Sequence, residues 1–412
     1  MTGGKFYKRT MRDISLRSKT VLVRVDYNVP LRDNGTIDDD YRIRASLPTI
    51  QVLLDESCKI VLISHLGRPE GKVNPLFSIE PAAQRLAELL KLPVRFVDQS
   101  IGPKVAMAIK RAPQHSITVL ENLRFHPEEE ADDIAFAAQL AKDSHADYFI
   151  QDGFGVVHRA HASTHAITQY LPSVSGLLLE REYMTITNAM NHPARPLVAV
   201  LGGAKVSDKI GMLRAFIDIA DKIIVGGAMA NTFLAYKGNF MGASIYEPEQ
   251  EEIIQDIYER VAHKVGRDEV NSFIILPIDL GVGESRSLTA TRQDVSAKVI
   301  PAGSMALDSG PASIAVMRKV IDGAKTVIWN GTLGIAEVPA FATASVALAE
   351  ELASRPGVAS IIGGGDTADF VLHWDKKKGA SFTHVSTGGG ASLELMSGMK
   401  LPGIEALLDA PK

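Results

Sequence analysis

The 412-residue chain holds a single cysteine, Cys58, so no disulfide can form within it. That suits a reducing compartment, and beside its apolar run Cys58 reads as a small buried hydrophobe. No stretch approaches the roughly 18 apolar residues of a membrane span, and none is expected. The opening "MTGGKFYKRTMRD" lacks the apolar core of a secretory signal, so a cytoplasmic protein is expected. Charge of one sign is missing too. The formal net charge is −4, with 22 Lys/Arg and 22 Asp/Glu in residues 1–180 and 22 and 26 in the rest. Any basic site must therefore be local, and neither nucleic acid nor an anionic membrane is favoured as partner. G-x-G-x-x-G and G-x-x-x-x-G-K-[ST] are both absent, which counts against an ordinary dinucleotide site and against a P-loop. "HRA" at His158–Ala160 is not the H-R-D of protein kinases.

What is present is a repeated alternation. Short β-branched apolar runs recur along the whole chain, separated by longer segments of helical periodicity. The runs of the first half are "TVLVRVDYN", "KIVLISHLGR", "SITVLENLRF" and "DYFIQDGFG". Those of the second half are "PLVAVLGGAK", "DKIIVGGAMAN", "SFIILPIDLG", "KTVIWNGTLG", "ASIIGGGD" and "FTHVSTGGGAS". This pattern predicts α/β architecture with parallel sheets. A helix after Pro172, ending near His192 and stopped by Pro193 and Pro196, would join two sheet domains as a hinge.

The two halves end their strands differently. First-half runs lead into Asp26, Asn28, His65, Arg68, Arg124, His158 and Arg159, with Arg42 in the first long loop. Ligands of open α/β sheets bind at the carboxyl ends of strands. Arginine forks match carboxylate and phosphate, and Asp26 and Asn28 can hold a hydroxyl, so this half predicts a pocket for a small polyhydroxylated anion. A basic groove for nucleic acid would want interleaved aromatics, and only Tyr27, Phe125 and Phe154 stand near. His161 and His165 have metal-ligand spacing but no HExxH or cysteine partner. The acidic run Glu128 to Asp133 reads as a solvated helix start.

Second-half runs end in glycine. "LGGAKVSDKIG" opens a helix after two glycines, and Lys205 and Lys209, four apart, would share one helical face suited to polyphosphate, or to water. In "GGGDT", Asp366 is a candidate for nucleotide-bound Mg²⁺, although Asp366 or Thr367 could equally be an N-cap. Glu337 is an acid suited to ribose hydroxyls. "STGGGASLELM" is either a phosphate cradle without its lysine or a turn entering a helix.

Taken together and in order, "RVDYNVP", "SHLGRP", "LENLRFH", "GFGVVHRAH", "LGGAKVSDKI", "WNGTLG", "GGGDT" and "STGGGASLE" resemble the phosphoglycerate kinase family over nearly the whole chain. The resemblance implies two Rossmann-like domains, each a six-stranded parallel sheet flanked by helices. It implies an enzyme of glycolysis that moves a phosphoryl group between ATP and the carboxylate of 3-phosphoglycerate, with Mg²⁺, as a monomer. The implied domains are 1–174 for 3-phosphoglycerate, 175–395 for nucleotide, beginning with the interdomain helix, and a tail 396–412 that returns to the first domain.

Residue by residue, the resemblance puts Asp26 and Asn28 on the glycerate hydroxyl and carboxylate, and Arg42 along the transferring phosphoryl. It places His65, Arg68, Arg124, His158 and Arg159 in a basic patch, the arginines on the 3-phosphate. Lys205 would stabilise the moving phosphoryl and Lys209 the nucleotide phosphates. Gly226, Gly227 and Gly310 would shape the adenine slot. Asn330 would approach the phosphates, Glu337 the ribose, and Thr367 the β-phosphate. Asp366 would hold Mg²⁺ in the turn of Gly364 and Gly365. Gly388, Gly389 and Gly390 would then face the phosphoryl group in flight. The chain departs from the family at Thr332, where N-G-P is usual, at Ala312, where an acid is frequent, and at "QDGFGVV".

Overall fold

The structure, a computed structural model, describes residues 5–32 and 34–411. Met1–Gly4, Asp33 and Lys412, which the expected domain limits include, lie outside the described residues. The chain divides into two compact units, Met1–Met184 with Lys400–Lys412, and Thr185–Met399. No helix among the described residues is long and apolar enough to cross a membrane.

The first unit is built on six parallel strands: β1 Thr20–Arg24, β2 Lys59–Ile63, β3 Val94–Val97, β4 Ser116–Leu120, β5 Tyr148–Gln151 and β6 Ser173–Ser175. Their order is β3-β4-β2-β1-β5-β6. The inner strands are apolar on both faces because helices cover both, as parallel sheets require. Val21, Val23, Ile60 and Leu62 enter one buried cluster, while Leu22, Val61 and Ile63 enter another. Alternate residues therefore feed opposite sides of the sheet.

The second unit contains β7 Leu197–Leu201, β8 Lys222–Val225, β9 Ile274–Ile275, β10 Asp279–Gly283, β11 Gln293–Ser296, β12 Met305–Ser309, β13 Thr326–Asn330, β14 Ala359–Gly363 and β15 His384–Val385. Six of them form a parallel sheet in the order β15-β14-β13-β7-β8-β9. Both units are thus Rossmann-like. The alternation pattern did not anticipate a second, three-stranded sheet, β11-β10-β12, which is antiparallel. Its strand β10 follows Pro277 in what reads as a single apolar run, "SFIILPIDLG", and that proline separates it from β9.

The Leu177–Asn191 helix does not fall wholly in the second unit; the division lies inside it, after Met184. Its first turns are anchored in the first unit. Asp152 accepts from the Leu178 and Leu179 N–H groups at 2.9 and 3.4 Å, and Thr49 Oγ1 accepts from Leu177 at 3.0 Å. Glu180 pairs with Arg12, and Tyr183 packs edge-on to Phe6 at 5.1 Å.

The end of the chain belongs to the first unit. Lys8 Nζ donates to Asp409 at 2.7 Å and to the Glu405 carbonyl at 2.8 Å, and Leu408 N–H donates to Ser173 O at 3.0 Å. Leu401, Ile404 and Leu407 are buried there. Apolar burial outweighs the ion pair, because Asp409 is 82% exposed. Ile404→Ala or Leu407→Ala is expected to cost about 2–5 kcal/mol. Asp409→Ala is expected to cost far less, since solvent screens an exposed pair. Urea unfolding of the three variants checks the ranking, and an Asp409 effect equal to the others would reverse it.

Candidate active site

In the first unit the sheet order changes direction around β1, which has β2 on one side and β5 on the other. A crevice opens at such a point, outside the carboxyl ends of the strands. Just beyond β1, buried Asp26 accepts from an Arg42 guanidinium N–H at 2.8 Å, and its other oxygen accepts from Asn28 N–H at 3.2 Å. Asn28 Oδ1 accepts from Gly67 N–H at 2.9 Å, and Arg124 donates to Gly67 O at 2.9 Å. Gly67 has φ +63°, and a Cβ there would sit 2.4 Å from the Phe77 ring. The turn after β2 is therefore held from both sides by predicted site residues.

His65 is buried, with Nδ1 3.3 Å from an Arg24 guanidinium nitrogen. A guanidinium can only donate, so Nδ1 carries the lone pair and the imidazole proton lies on Nε2. Burial, and then the charges of Arg24, Arg124 and Arg42, hold His65 well below its ordinary pKa. His158 is lowered by burial and by Arg159, whose Nε donates to His158 Nε2 at 3.2 Å. His161 is pushed down to about 3, mainly by burial and then by Arg24. The imidazoles are neutral at physiological pH, and the positive charge of the patch resides in its arginines.

Asp26, Asn28, Arg42, His65, Arg124, His158 and Arg159 are brought together. Arg68 is exposed beside Gly67 and enters no hydrogen bond or ion pair among the described residues. Arg24, the last residue of β1 and only 1% exposed, was missed in the sequence. Its Nε donates to Ser163 Oγ at 2.8 Å and a terminal nitrogen donates to Val25 O at 2.6 Å. The acidic run is not a uniformly solvated helix start: Glu129 is 0% exposed and accepts from Ser163. Phe136 and Ala137, in the Ile134–Ser144 helix that follows, belong to the buried core of the first unit. His165, the other residue of the spaced pair, bonds Asp132 through Nδ1 at 2.6 Å.

In the second unit the sheet order changes direction between β7 and β13. The chain leaves β7 through Gly202 and Gly203 and leaves β13 through Asn330 and Gly331. These backbones touch: a Cβ on Gly202 would lie 2.1 Å from Thr332 O. The expected pair of lysines on one helical face does not form. The segment after Gly203 is a loop, Ser207–Lys209 is a 3-10 turn, and the α-helix begins only at Ile210. Lys205 stays exposed in the loop. Lys209 folds inward, donating to Gly202 O at 2.7 Å, Asn330 O at 3.0 Å and Asn330 Oδ1 at 2.7 Å. Burial lowers its pKa to about 8, against the raising influence of Asp366 and Asp208.

Asn330 Nδ2 is buried without a hydrogen-bond partner among the described residues. A Cβ on Gly364 would lie 3.1 Å from it. Gly364, at φ +88°, is the N-cap of the Gly365–Trp374 helix. Asp366 and Thr367 are therefore inside the first turn and neither is the N-cap. Asp366 is exposed, and Thr367 Oγ1 accepts from Gly331 N–H at 2.6 Å. Gly388 N–H is already bonded to Ser386 Oγ at 3.0 Å and is not free for a ligand. Gly389 adopts φ +49°, ψ −113°, and a Cβ there would meet nothing within 4 Å. Ser392 was missed in the sequence. It accepts from Gly364 N–H at 3.2 Å and donates to Gly389 O at 2.8 Å, tying the two glycine loops together.

A narrow apolar slot lies beyond β8 and β9, lined by Gly226, Leu276, Pro277, Ile314, Met317 and Leu333 among others. Gly226 lines it, but Gly227 and Gly310 do not. Gly227, at φ +64°, packs on Gly203 instead. Gly310 makes room for Asp279, whose carboxylate accepts from the Ala312 and Ser313 N–H groups at 2.9 and 2.7 Å. Glu337 is exposed. No group of three or more metal-ligating side chains occurs among the described residues.

Residues 11–399 match the family model described as phosphoglycerate kinase. A phosphoglycerate kinase from Chloroflexus aggregans is 44% identical over 407 residues, covering 98% of this chain and 99% of the relative. One from Moorella thermoacetica is 44% identical over 404 residues, with the same coverage. Among solved structures, phosphoglycerate kinase from Coxiella burnetii superimposes with a TM-score of 0.81 at 34% identity, covering 97% of this chain and 98% of that one. The Pyrococcus horikoshii phosphoglycerate kinase gives 0.82 at 28% identity and the same coverage.

The neutral imidazoles set an acid limit. The unfolded chain protonates His65 and His161 near pH 6.5, but the folded chain does not, so U binds more protons below that pH and stability falls with it. Between pH 7 and pH 5 His161 should remove about 2 kcal/mol, and His65 should add to the loss in the same direction. Urea unfolding at both values, with His161→Gln losing less than the unmodified chain, checks this. Equal losses in the two chains would mean that His161 is charged in the fold.

Proposed function

The chain belongs to the phosphoglycerate kinase family, and on that premise we propose that it transfers a phosphoryl group reversibly between ATP and the carboxylate of 3-phosphoglycerate. The products in that direction are ADP and 1,3-bisphosphoglycerate. The observation that carries this is the contrast between the two sets of strand ends. One is a cluster of arginines and neutral histidines around Asp26; the other is a buried ammonium and an unpaired amide among glycine loops.

The first unit is the acceptor site. Asp26 and Asn28 take the glycerate hydroxyl and carboxylate, and the Asp26 ion pair fixes Arg42 for the transferring group. His65, neutral, offers an Nε2–H. Arg68, Arg124 and Arg159, with His158, take the 3-phosphate. Guanidinium charge does not titrate in the working range, so this patch keeps its pull on the anion. The acceptor carboxylate is already ionised, so no general base is required, which accords with histidines held neutral.

The second unit is the nucleotide site. The base is placed against Gly226, and the ribose by Glu337. Lys209, Asn330 and Thr367 meet the phosphates, with Gly364 and Gly365 leaving room for close approach. Mg²⁺ held on nucleotide needs only one or two protein carboxylates. The single exposed Asp366 in the helix's first turn fits that role. The ion, when bound, neutralises phosphate charge. Lys205 and the N–H groups of Gly389 and Gly390 serve the group in transit, where positioning and charge neutralisation supply most of the rate. The protein is proposed to act in the cytoplasm as a monomer.

A coupled assay with both substrates and Mg²⁺ should show turnover; a folded chain that binds ATP without turnover would refute the proposal. Lys205→Ala and Arg42→Ala should each lower kcat by about 10²–10³-fold, because each removes charge matched to the transition state. Ordinary kcat in either variant would remove that residue from the role. Gly389→Val has space for its side chain but not the backbone conformation. It should lower kcat far more than ATP affinity measured by calorimetry, and equal losses would return the triplet to a mere helix-entry turn.

A further inference from the structure

Glu129 is the acidic residue whose burial the sequence hides. It follows the turn after β4, it is 0% exposed, and its carboxylate lies 3.8 Å from the buried Arg24 guanidinium. Between them stands Ser163, which is also buried. Arg24 Nε donates to Ser163 Oγ at 2.8 Å, and Ser163 Oγ donates onward to Glu129 Oε1 at 2.5 Å. Ser163 N–H donates to the other carboxylate oxygen at 3.0 Å, and Glu129's own carbonyl accepts from Ala162 N–H at 2.9 Å. The same Arg24 donates to His65 Nδ1. One carboxylate thus fastens Arg24 on β1 to the loop after β5 that carries His158, Arg159 and His161. Through Arg24 it also fixes the tautomer of His65 after β2.

We propose that Glu129 is a positioning residue for the acceptor site, holding the cations and imidazoles of three strand-end segments in register without touching substrate. The inference rests on the acceptor-site reading above. A buried guanidinium with no counter-charge is costly, and the cost falls on the geometry of whatever it contacts. Only a carboxylate accepts from both Ser163 donors at once. In Glu129→Gln the amide oxygen can keep the Ser163 N–H, but the NH₂ then faces Ser163 Oγ, which must accept where it donated, and the charge opposite Arg24 is lost.

The test is steady-state kinetics of Glu129→Gln and Ser163→Ala, with thermal unfolding alongside. Glu129→Gln should raise the KM for 3-phosphoglycerate about tenfold or more, a change in binding of roughly 1.4 kcal/mol. The KM for ATP should stay where it is. Ser163→Ala keeps both charges and removes only the hydroxyl bridge. It should raise the same KM by less, and the double variant should be no worse than Glu129→Gln alone, since both cut one chain. If Glu129→Gln does not fold, Ser163→Ala decides the matter alone. A lower unfolding temperature with both KM values unchanged would overturn the inference and leave Glu129 a structural residue. Absence of turnover in the unmodified chain would instead remove the acceptor-site reading, and this inference with it.

Discussion

Each unit buries a cation against carbonyl oxygens at the carboxyl end of a central strand. Arg24 donates to Val25 O in the first, and Lys209 to Gly202 O and Asn330 O in the second. The reason lies in the architecture. Strands buried on both faces run parallel, so their last carbonyls gather at one edge, where the ladder is running out. A buried donor placed there bonds one such carbonyl, as Arg24 does, or two, as Lys209 does. It also draws together the loops that leave the sheet where its order changes direction, which is where ligands of such sheets bind.

The two cations are compensated differently. Arg24 has Glu129 at 3.8 Å, with Ser163 bridging, so its charge is balanced within the fold. Lys209 touches no carboxylate: its bonds go to carbonyl and amide oxygens, and Asp366 and Asp208 act only at a distance. Beside it, the Asn330 amide keeps an unused donor. A polyanion in the second unit would therefore complete an arrangement that the protein leaves short of negative charge. The first unit instead offers exposed and half-exposed arginines over a floor that is already neutralised.

Much of this was legible in the sequence, and the losses have physical causes. The inner strands could be read because burial on both faces demands unbroken β-branched runs. The edge strands of the first sheet could not, since β6 is three residues long and β3 buries only Val97 fully, and neither could β11, which is mostly exposed. Residues after strand ends could be singled out because ligands of open α/β sheets bind there. Glu129 could not, since an acidic run looks the same whether one member points inward or none does. The i,i+4 spacing of Lys205 and Lys209 misled because it presumed a helix starting at the glycines. Gly202 and Gly203 instead bring the chain against Thr332, and the helix starts later. Ser163 and Ser392 carry no signal, since a serine's contacts depend wholly on what folds next to it.

The departures from the family pattern can be weighed by asking which atoms do the work. At position 332 the contacts run through the backbone. Thr332 O accepts from Gly203 N–H at 3.0 Å and packs on Gly202 so closely that no Cβ would fit there. A proline at 332 would offer the same carbonyl, so threonine keeps the contact and gives up only the fixed φ. At position 312 the side chain is missing but the helix start is not without its acid. Asp279, from β10, accepts from the N–H groups of Ala312 and Ser313, close to the positive end of the helix dipole. That explains why Gly310 must be glycine here, because any Cβ would fall on the Asp279 carboxylate. At 332 the working atom, the backbone carbonyl, is unchanged, and at 312 the acid comes from Asp279 instead of the residue itself.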